Sequence, residues 1–344
     1  MKQAIVLILF LICTGITFGQ NQVKPKEFSN YLEMRNYFRE LYEEGKYEEA
    51  AIVMEKGLLD FPDHMEANAF NLAFIYLKSE QFDKSMDALQ YGLDHGVWFS
   101  IYTFLSDVWD PCRKLEKFQK ILDRNEKLRQ EAQKIAKPEL MVIMPEKYEK
   151  SKKYPLFIAL HGGNSNIINF REAWKSEKLE KEFITAYVQS SQIVAMNGFS
   201  WTEDIEIAKK EISKAYHKVL AEYPIDENEI IIGGFSSGGV AALEISFCNT
   251  IPVRGFVSLC PGKPESFTEE YITEAKNRGI RGTIITTEMD PRLEVQKEMV
   301  ELLKSTGFEY QFDVTPNIGH WFPDDLNMKI DEAIEFIQNE QFEK

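Results

Sequence analysis

Two different hydrophobic periods divide the chain. From about Glu27 to Gln133, apolar residues recur at three- and four-residue spacing, which is the period of amphipathic α-helices. After Pro138, short runs rich in Ile, Val, Phe and Leu alternate with helical segments. Such apolar strands are typical of a mostly parallel sheet with helices on both faces. We therefore expect an all-α domain over residues 20–136 and an α/β domain over residues 137–344.

The α/β pattern predicts a specific order of elements. The predicted strands are Leu140–Met144, Pro155–Leu160, Phe183–Val188, Glu229–Ile232, Gly255–Leu259, Thr283–Thr286 and Tyr310–Val314. The longer predicted helices are Asp204–Glu222, Ser237–Phe247, Arg292–Ser305 and Asp325–Gln338. Chemistry in parallel sheets collects at the carboxyl ends of the strands, so the residues that follow each strand are the candidates for a site.

The all-α region contains an internal repeat. Tyr47 aligns with Phe82, and Gly57 aligns with Gly92, each 35 residues further on. This period is close to the 34 residues of tetratricopeptide repeats, and the region resembles such an array. Residues 98–133 are a candidate for a third, degenerate unit. A groove for a peptide or protein partner is one functional interpretation, but a helical domain packed against the second half is favoured.

Charge limits the partners. Asp and Glu total 55 against 40 Lys and Arg, a net charge of -15, so the chain as a whole repels nucleic acid and anionic membrane surfaces. With 44% hydrophobic residues it can bury a substantial core. We expect no nucleic-acid partner and no membrane association of the mature chain.

The first residues have the features of an export signal. Lys2 precedes an apolar run from Ala4 to Phe18, and this run is shorter than the roughly 18 residues of a membrane-spanning helix. We predict a cleaved signal peptide, residues 1–19, and a secreted or periplasmic protein, with an uncleaved anchor as the alternative. Cys112, Cys248 and Cys260 then remain without zinc-site spacing, so no metal or other cofactor is expected.

A nucleophile motif follows the strand Glu229–Ile232. Gly234-Phe235-Ser236-Ser237-Gly238 is a G-x-S-x-G pattern, and a helical segment follows it at once. A serine in a sharp strand-to-helix turn presents its hydroxyl above the sheet, next to a helix N-terminus that favours developing negative charge. Ser236 is therefore the candidate nucleophile, with Ser237 as the nearest rival.

The strand Pro155–Leu160 supplies a second glycine motif. It ends in His161-Gly162-Gly163-Asn164, a loop that can aim a backbone N–H at the same point as the N–H of Ser237. Two such donors form an oxyanion hole, and each is worth about 3–4 kcal/mol of barrier. Gly163 and Asn164 both remain candidates for the loop's donor.

The base and the acid follow from position in the chain. Of five histidines, His320 lies on a loop after the last strand, whereas His161 more plausibly supports the glycine loop. The orienting acid should lie between nucleophile and base, which favours Asp290 after Thr283–Thr286, with Glu288 second. Glu265 is a more distant alternative.

Together these motifs resemble the α/β-hydrolases of the secreted serine-esterase type. The region from about Pro138 to Lys344 is similar to predicted esterases and to polyhydroxybutyrate-depolymerase-like and feruloyl-esterase-like enzymes. The matching pieces are Leu160–Asn164, Tyr223–Asp226, Gly234–Gly239, Asp290 and Gly319–His320. The resemblance implies the α/β-hydrolase fold and Ser236, Asp290 and His320 as a catalytic triad.

The predicted activity is hydrolysis of a carboxylic ester, small or polysaccharide-linked, through an acyl-enzyme. A prolyl-peptidase-like serine peptidase is the first alternative. A non-catalytic protein that binds a partner through its helical domain is the second. Apolar side chains near the motifs are candidates for a substrate pocket; they are Trp201, Phe235, Met289 and Trp321.

Overall fold

The computed structural model describes residues 26–339. The predicted signal peptide, residues 1–19, lies outside this range, and the structure gives no information on it. Among the described helices, none combines the length and the apolar character that crossing a bilayer requires.

Five α-helices form the first half of the described chain. They are α1 (Tyr31–Glu43), α2 (Tyr47–Asp60), α3 (Met65–Lys78), α4 (Phe82–Asp94) and α5 (Glu116–Ile135). Short turns join α1 to α2 and α3 to α4. Gly45 and Glu80, which are 35 residues apart, both adopt left-handed backbone in these turns, with φ of 73° and 57°. The repeat therefore extends to the turn geometry, although the second unit has no glycine there.

The repeated glycines mark close packing. A Cβ on Gly57 would lie 2.7 Å from the Met34 sulfur, and one on Gly92 would lie 2.9 Å from the Phe99 ring. The helices are thus consistent with a tetratricopeptide-like arrangement in the first two units. The expected third unit does not form a helix pair, because residues 101–109 form 3₁₀ turns before the single helix α5.

The second half is built on a seven-stranded sheet with helices on both faces, as the predicted fold class requires. The strands are β1 (Glu139–Ile143), β2 (Tyr154–Leu160), β3 (Ile184–Gln189), β6 (Ile225–Phe235), β7 (Gly255–Leu259), β8 (Arg281–Thr287) and β9 (Tyr310–Thr315). Their order in the sheet is β1-β3-β2-β6-β7-β8-β9, and all neighbours are parallel except β1 and β3. The helices are α6 (Ile167–Ala173), α7 (Glu177–Lys181), α8 (Ile205–Glu222), α9 (Ser237–Phe247), α10 (Glu269–Asn277), α11 (Leu293–Thr306) and α12 (Leu326–Gln338).

Both faces of the sheet are buried. Successive residues of β2, Phe157 and Ile158, belong to separate hydrophobic clusters, and Ile231 and Ile232 of β6 do the same. Side chains alternate between the two faces of a strand, so each face needs its own cover of helices. This explains the nearly continuous apolar strands that the sequence contains.

A small hairpin, which the sequence pattern did not predict, connects the two halves. Its strands are β4 (Gln192–Ala195) and β5 (Gly198–Ser200). Ile193 is buried in the hydrophobic cluster of the helical half, and Phe199 packs against the same cluster. The hairpin therefore belongs by chain order to the second half and by packing to the first.

Gln133 of α5 fixes the base of this hairpin. Its side-chain amide donates to the Ser191 carbonyl at 2.8 Å, and its carbonyl oxygen accepts the Ile193 amide at 3.0 Å. Both contacts replace the hydrogen bonds that these backbone groups would make to water. The helical half thus holds the hairpin by polar as well as apolar contacts.

Candidate active site

The turn between β6 and α9 holds Ser236 in an unusual backbone conformation. Its φ and ψ are 53° and -112°, outside the regions that L-residues prefer. The Ser236 amide donates to the Leu259 carbonyl on β7 at 2.8 Å, which helps to hold the turn. Strain of this kind persists only where the surroundings enforce it. The result is a hydroxyl presented at the carboxyl end of the sheet.

The flanking glycines are needed because β2 passes directly beneath the turn. A Cβ on Gly234 would lie 2.5 Å from the Leu160 carbonyl oxygen, and one on Gly238 would collide with the same atom. Real Cβ atoms do not approach oxygen so closely. The G-x-S-x-G pattern is therefore a packing requirement between β2, the turn and α9.

Three side chains from different strand ends meet at this hydroxyl. Ser236 Oγ lies 2.9 Å from His320 Nε2, and His320 Nδ1 lies 2.6 Å from Asp290 Oδ2. When Nδ1 carries the proton and donates it to the carboxylate, Nε2 is free to accept from the serine. The chain order serine, acid, histidine and the hydrogen-bonded geometry have the form of a Ser-His-Asp triad.

Asp290 is almost fully buried, with 4% of its surface exposed. Burial alone would raise its pKa, but hydrogen bonds from His320 and from the Arg292 amide outweigh burial and lower the pKa. The Cys260 thiol lies beside it, and burial raises the pKa of this thiol to about 12. Asp290 is therefore ionised and Cys260 protonated at neutral pH.

Cys260, Asp290 and His320 offer ligand atoms within 4.8 Å of one another. Hydrogen bonds that Asp290 makes with His320 and with the Cys260 thiol account for this proximity.

The glycine loop after β2 lies next to the serine turn. A Cβ on Gly163 would be 3.6 Å from Ser237 Oγ, and Asn164 adopts left-handed backbone with φ of 59°. α9 begins at Ser237, so the Ser237 amide belongs to the first helical turn, where N–H groups lack helical partners. The structure thus brings all three predicted oxyanion-hole residues to the same side of the site.

The β4–β5 hairpin supports this loop. Ser165 forms an isolated bridge with Phe199, whose amide donates to the Ser165 carbonyl at 2.8 Å. Asn166 donates its side-chain amide to the Asn197 carbonyl at 3.0 Å. The hairpin in turn is held by the helical half, so the helical half contributes indirectly to the position of the loop.

His161 lies beneath the loop rather than in the reaction centre. It is fully buried, and burial lowers its pKa to about 4. Its Nδ1 lies 2.8 Å from the Gly162 carbonyl, while its Nε2 accepts the Ser190 amide at 3.2 Å. A neutral ring that donates from one nitrogen and accepts at the other satisfies both contacts.

The four predicted pocket residues divide into two groups. Trp201 is fully buried, and its indole N–H donates to the His161 carbonyl at 3.1 Å. Trp201 therefore packs in the core behind the glycine loop and is not a pocket residue. Phe235 is also buried, with its ring 4.9 Å from the His320 ring, whereas Met289 and Trp321 are about two-thirds exposed.

Two further side chains at the site were missed from the sequence. Arg292 Nη1 lies 3.4 Å from Ser236 Oγ and 3.3 Å from His320 Nε2. Tyr102, from the helical half, lies beside Gly163, and its hydroxyl donates to Glu203 at 2.8 Å. Proximity to Asp290 in the chain was a signal for Arg292. No sequence signal pointed to Tyr102, because only the packing of the two halves brings it here.

The rival candidates have other contacts. Glu288 accepts the Asn317 amide at 3.0 Å and so supports the loop that leads to His320. Ser237 Oγ is buried without a hydrogen-bond partner among the described residues.

Comparisons with known proteins agree with this architecture. A family model described as phospholipase/carboxylesterase matches residues 205–339, a stretch that contains Ser236, Asp290 and His320. The second half of the chain has the α/β-hydrolase fold. The family match confirms the predicted resemblance to esterases of this fold and supports a hydrolase. A search of curated proteins found no match.

Solved structures extend the comparison. An uncharacterized protein from Bacillus cereus ATCC 10987 is 26% identical over 90% of this chain and 99% of that chain, with a TM-score of 0.51. A phospholipase/carboxylesterase from Dyadobacter fermentans is 17% identical over 58% of this chain and 97% of that chain, with a TM-score of 0.43. The feruloyl esterase module from Clostridium thermocellum is 17% identical over 60% and 85%, with a TM-score of 0.44. The first comparison covers both halves, so this combination of architectures is not confined to the present chain.

Proposed function

We propose that the protein is a serine carboxylesterase. Ser236 is the nucleophile, His320 the general base and Asp290 the acid that orients it. The hydrogen-bonded distances of 2.9 Å and 2.6 Å between these side chains carry the proposal, because they match the reach that proton transfer requires. The family match supports the ester-hydrolase class.

The reaction proceeds in two steps, acylation of Ser236 and then deacylation by water. His320 Nε2 takes the proton of Ser236 as Oγ bonds to the ester carbonyl carbon. The bond from that carbon to the alcohol oxygen then breaks, and the alcohol leaves with the proton from His320. Water repeats the sequence: it gives a proton to His320, bonds to the acyl carbon and releases the acid, while Ser236 recovers its proton.

The backbone would stabilise the charge that develops on the carbonyl oxygen. The Ser237 amide and an amide of the Gly163–Asn164 loop are the proposed donors. The positive end of the α9 dipole adds to this effect, because α9 begins directly after the nucleophile. Asp290, ionised and buried, stabilises the imidazolium that forms in each half-reaction.

The test uses short-chain p-nitrophenyl esters together with a fluorophosphonate probe. The wild-type protein is expected to hydrolyse the esters and to be labelled at Ser236, whereas Ser236→Ala should lose both. The matched control is Ser246→Ala, because the Ser246 hydroxyl is used within α9, where it donates to the Ala242 carbonyl at 2.7 Å. A folded wild-type protein with neither turnover nor labelling would exclude the proposal, and cleavage of peptides but not esters would replace it with the peptidase alternative.

Export of the enzyme is a second part of the proposal. The basic residue and apolar run at the start of the chain support it. Expression of the full chain with N-terminal sequencing of the secreted product is expected to show cleavage after Gly19. Retention of the apolar run in the mature protein would contradict it.

A further inference from the structure

Arg292 places a positive charge directly against the proposed nucleophile and base. Its Nη1 lies 3.4 Å from Ser236 Oγ and 3.3 Å from His320 Nε2, and the side chain is exposed to solvent. The esterase reaction described above gives this guanidinium no role.

The guanidinium lacks an acidic partner. Within residues 26–339, no carboxylate lies within 4.0 Å of it. Of the ten arginines in residues 26–339, five pair with carboxylates at that distance, and Arg292 is one of the five that do not; the paired ones are Arg113, Arg124, Arg129, Arg254 and Arg281. Arg292 is therefore positioned toward the reaction centre with its capacity for an ion pair unused.

The contact with His320 competes with the proposed chemistry. When Nδ1 donates to Asp290, the single lone pair at Nε2 must accept the Ser236 proton. A hydrogen bond from Arg292 to the same lone pair opposes that transfer. A substrate group that draws the guanidinium away would free the base, and a carboxylate does so best because it accepts two parallel hydrogen bonds from Arg.

The position of Arg292 also indicates which part of the ester carries the charge. His320 Nε2 returns its proton to the leaving alcohol, so the alcohol oxygen must lie close to Nε2. Arg292 Nη1 is 3.3 Å from that nitrogen, so a group carried by the alcohol part comes within reach of the guanidinium. The acyl group, by contrast, extends from the carbon bonded to Ser236.

We infer that Arg292 forms an anion subsite that selects esters whose alcohol part carries a carboxylate close to the scissile bond. The inference rests on the proposed esterase function and deepens it by naming the substrate class. In the resting enzyme Arg292 contacts the nucleophile and the base; in the substrate complex it pairs with the carboxylate and holds the alcohol beside Nε2.

The test compares two esters of nearly the same shape, one with a negative charge and one neutral. They are the butanoate ester of glycolic acid, which carries a carboxylate on the alcohol part, and the butanoate ester of glycolamide, which carries a neutral amide there. Release of butanoate gives kcat/KM for each. The wild-type enzyme should prefer the charged ester by about tenfold or more, and this preference should fall as salt concentration rises.

Variants then assign the preference to one side chain. Arg292→Gln should lower the ratio of kcat/KM for the charged ester to kcat/KM for the neutral ester by about tenfold. Arg292→Lys should give a ratio between those of Arg292→Gln and the wild type, because lysine keeps the positive charge but lacks the planar guanidinium that binds a carboxylate with two hydrogen bonds. Lys297→Gln removes one positive charge from the same helix, where Lys297 pairs with Glu294, and should keep the wild-type ratio.

Two results would overturn the inference. One is a wild-type enzyme that hydrolyses p-nitrophenyl butanoate but shows no preference for the charged ester. This result would leave the esterase proposal intact. The other is a preference that Arg292→Gln retains. If the wild-type protein hydrolyses no ester and fluorophosphonate does not label it, the esterase proposal fails first and the subsite fails with it.

Discussion

At the residue scale, the chemistry depends on two acidic residues that stand close together in sequence and differ in environment. Asp290 is buried and hydrogen-bonded to His320, while Glu288 accepts a backbone amide of the loop that carries His320. Both follow β8, so their positions in the sequence alone barely separate them. Burial and partner choice decide which one can stabilise a positive imidazole.

Asp290→Asn tests this difference. The amide keeps the shape of the side chain but cannot stabilise the imidazolium and favours the wrong tautomer, so kcat for a p-nitrophenyl ester should fall by about 10³–10⁴. Glu288→Gln is the matched control and should lose less than about tenfold, because its role is to support the loop. Equal losses in the two variants would show that the orienting acid has been assigned incorrectly.

At the element scale, the site is made where β2, β6 and α9 cross at contact distance. The strained φ of Ser236 and the glycines around it are consequences of this crossing. A pattern of glycines that looks like a flexible loop in the sequence is, in the structure, a tightly packed turn.

Gly238→Ala is expected to disrupt the turn. The new methyl group would meet the carbonyl oxygens of Leu160 and His161, which belong to backbone and cannot rotate away. We expect a loss of about 2–4 kcal/mol in the free energy of unfolding, measured with urea. Gly262→Ala is the control, since its methyl group would meet only Val240 at an ordinary 3.5 Å. A variant Gly238→Ala as stable as Gly262→Ala would show that the turn can relax.

At the scale of the whole molecule, the two halves share the β4–β5 hairpin. Its apolar side chains complete the core of the helical half, while its backbone supports the loop at Asn164. A change on one helix can therefore reach the reaction centre through the hairpin.

Gln133→Ala tests this connection between the halves. It removes the two hydrogen bonds that hold the base of the hairpin, at a cost of about 1–3 kcal/mol, and should lower kcat for a simple ester several-fold through the glycine loop. Gln130→Ala, on the same helix, removes only a surface hydrogen bond to Glu126 and should change neither stability nor kcat. Full activity in a destabilised Gln133→Ala protein would show that the position of the hairpin does not affect catalysis.

The buried His161 makes the stability of the whole domain depend on pH. Its pKa is about 4 in the folded chain against an ordinary 6.5, so between these values the unfolded chain binds more protons. Stability therefore rises with pH across this window and falls on acidification, by up to about 3 kcal/mol from this residue. His161→Gln should show a shallower loss of stability from pH 7 to pH 4 in urea unfolding. His217→Gln, which removes an exposed imidazole on α8, is the control, and identical slopes for wild type and His161→Gln would contradict the assignment.

Much of the architecture could be predicted because it depends on local pattern. Apolar runs marked the seven strands of the main sheet, and the strand-to-helix turn at Ser236 was visible as a glycine motif. The sequence pattern missed elements that are short or whose apolar face is defined only by the surfaces they pack against. These elements are α6, α7, α10 and the β4–β5 hairpin. The hairpin's apolar residues match the core of the helical half, which no local pattern encodes.

The sequence by itself determined the fold class, the order of the strands along the chain and the candidates Ser236, Asp290 and His320, because these depend on residue type and on distance along the chain. Only the tertiary structure decided that Trp201 is a core residue and that Arg292 and Tyr102 lie at the site. These outcomes depend on packing between surfaces that are far apart along the chain. Tyr102 and Glu203, for example, are 101 residues apart in sequence. Contacts of that range are set by the packing of whole elements and leave no local trace in the chain.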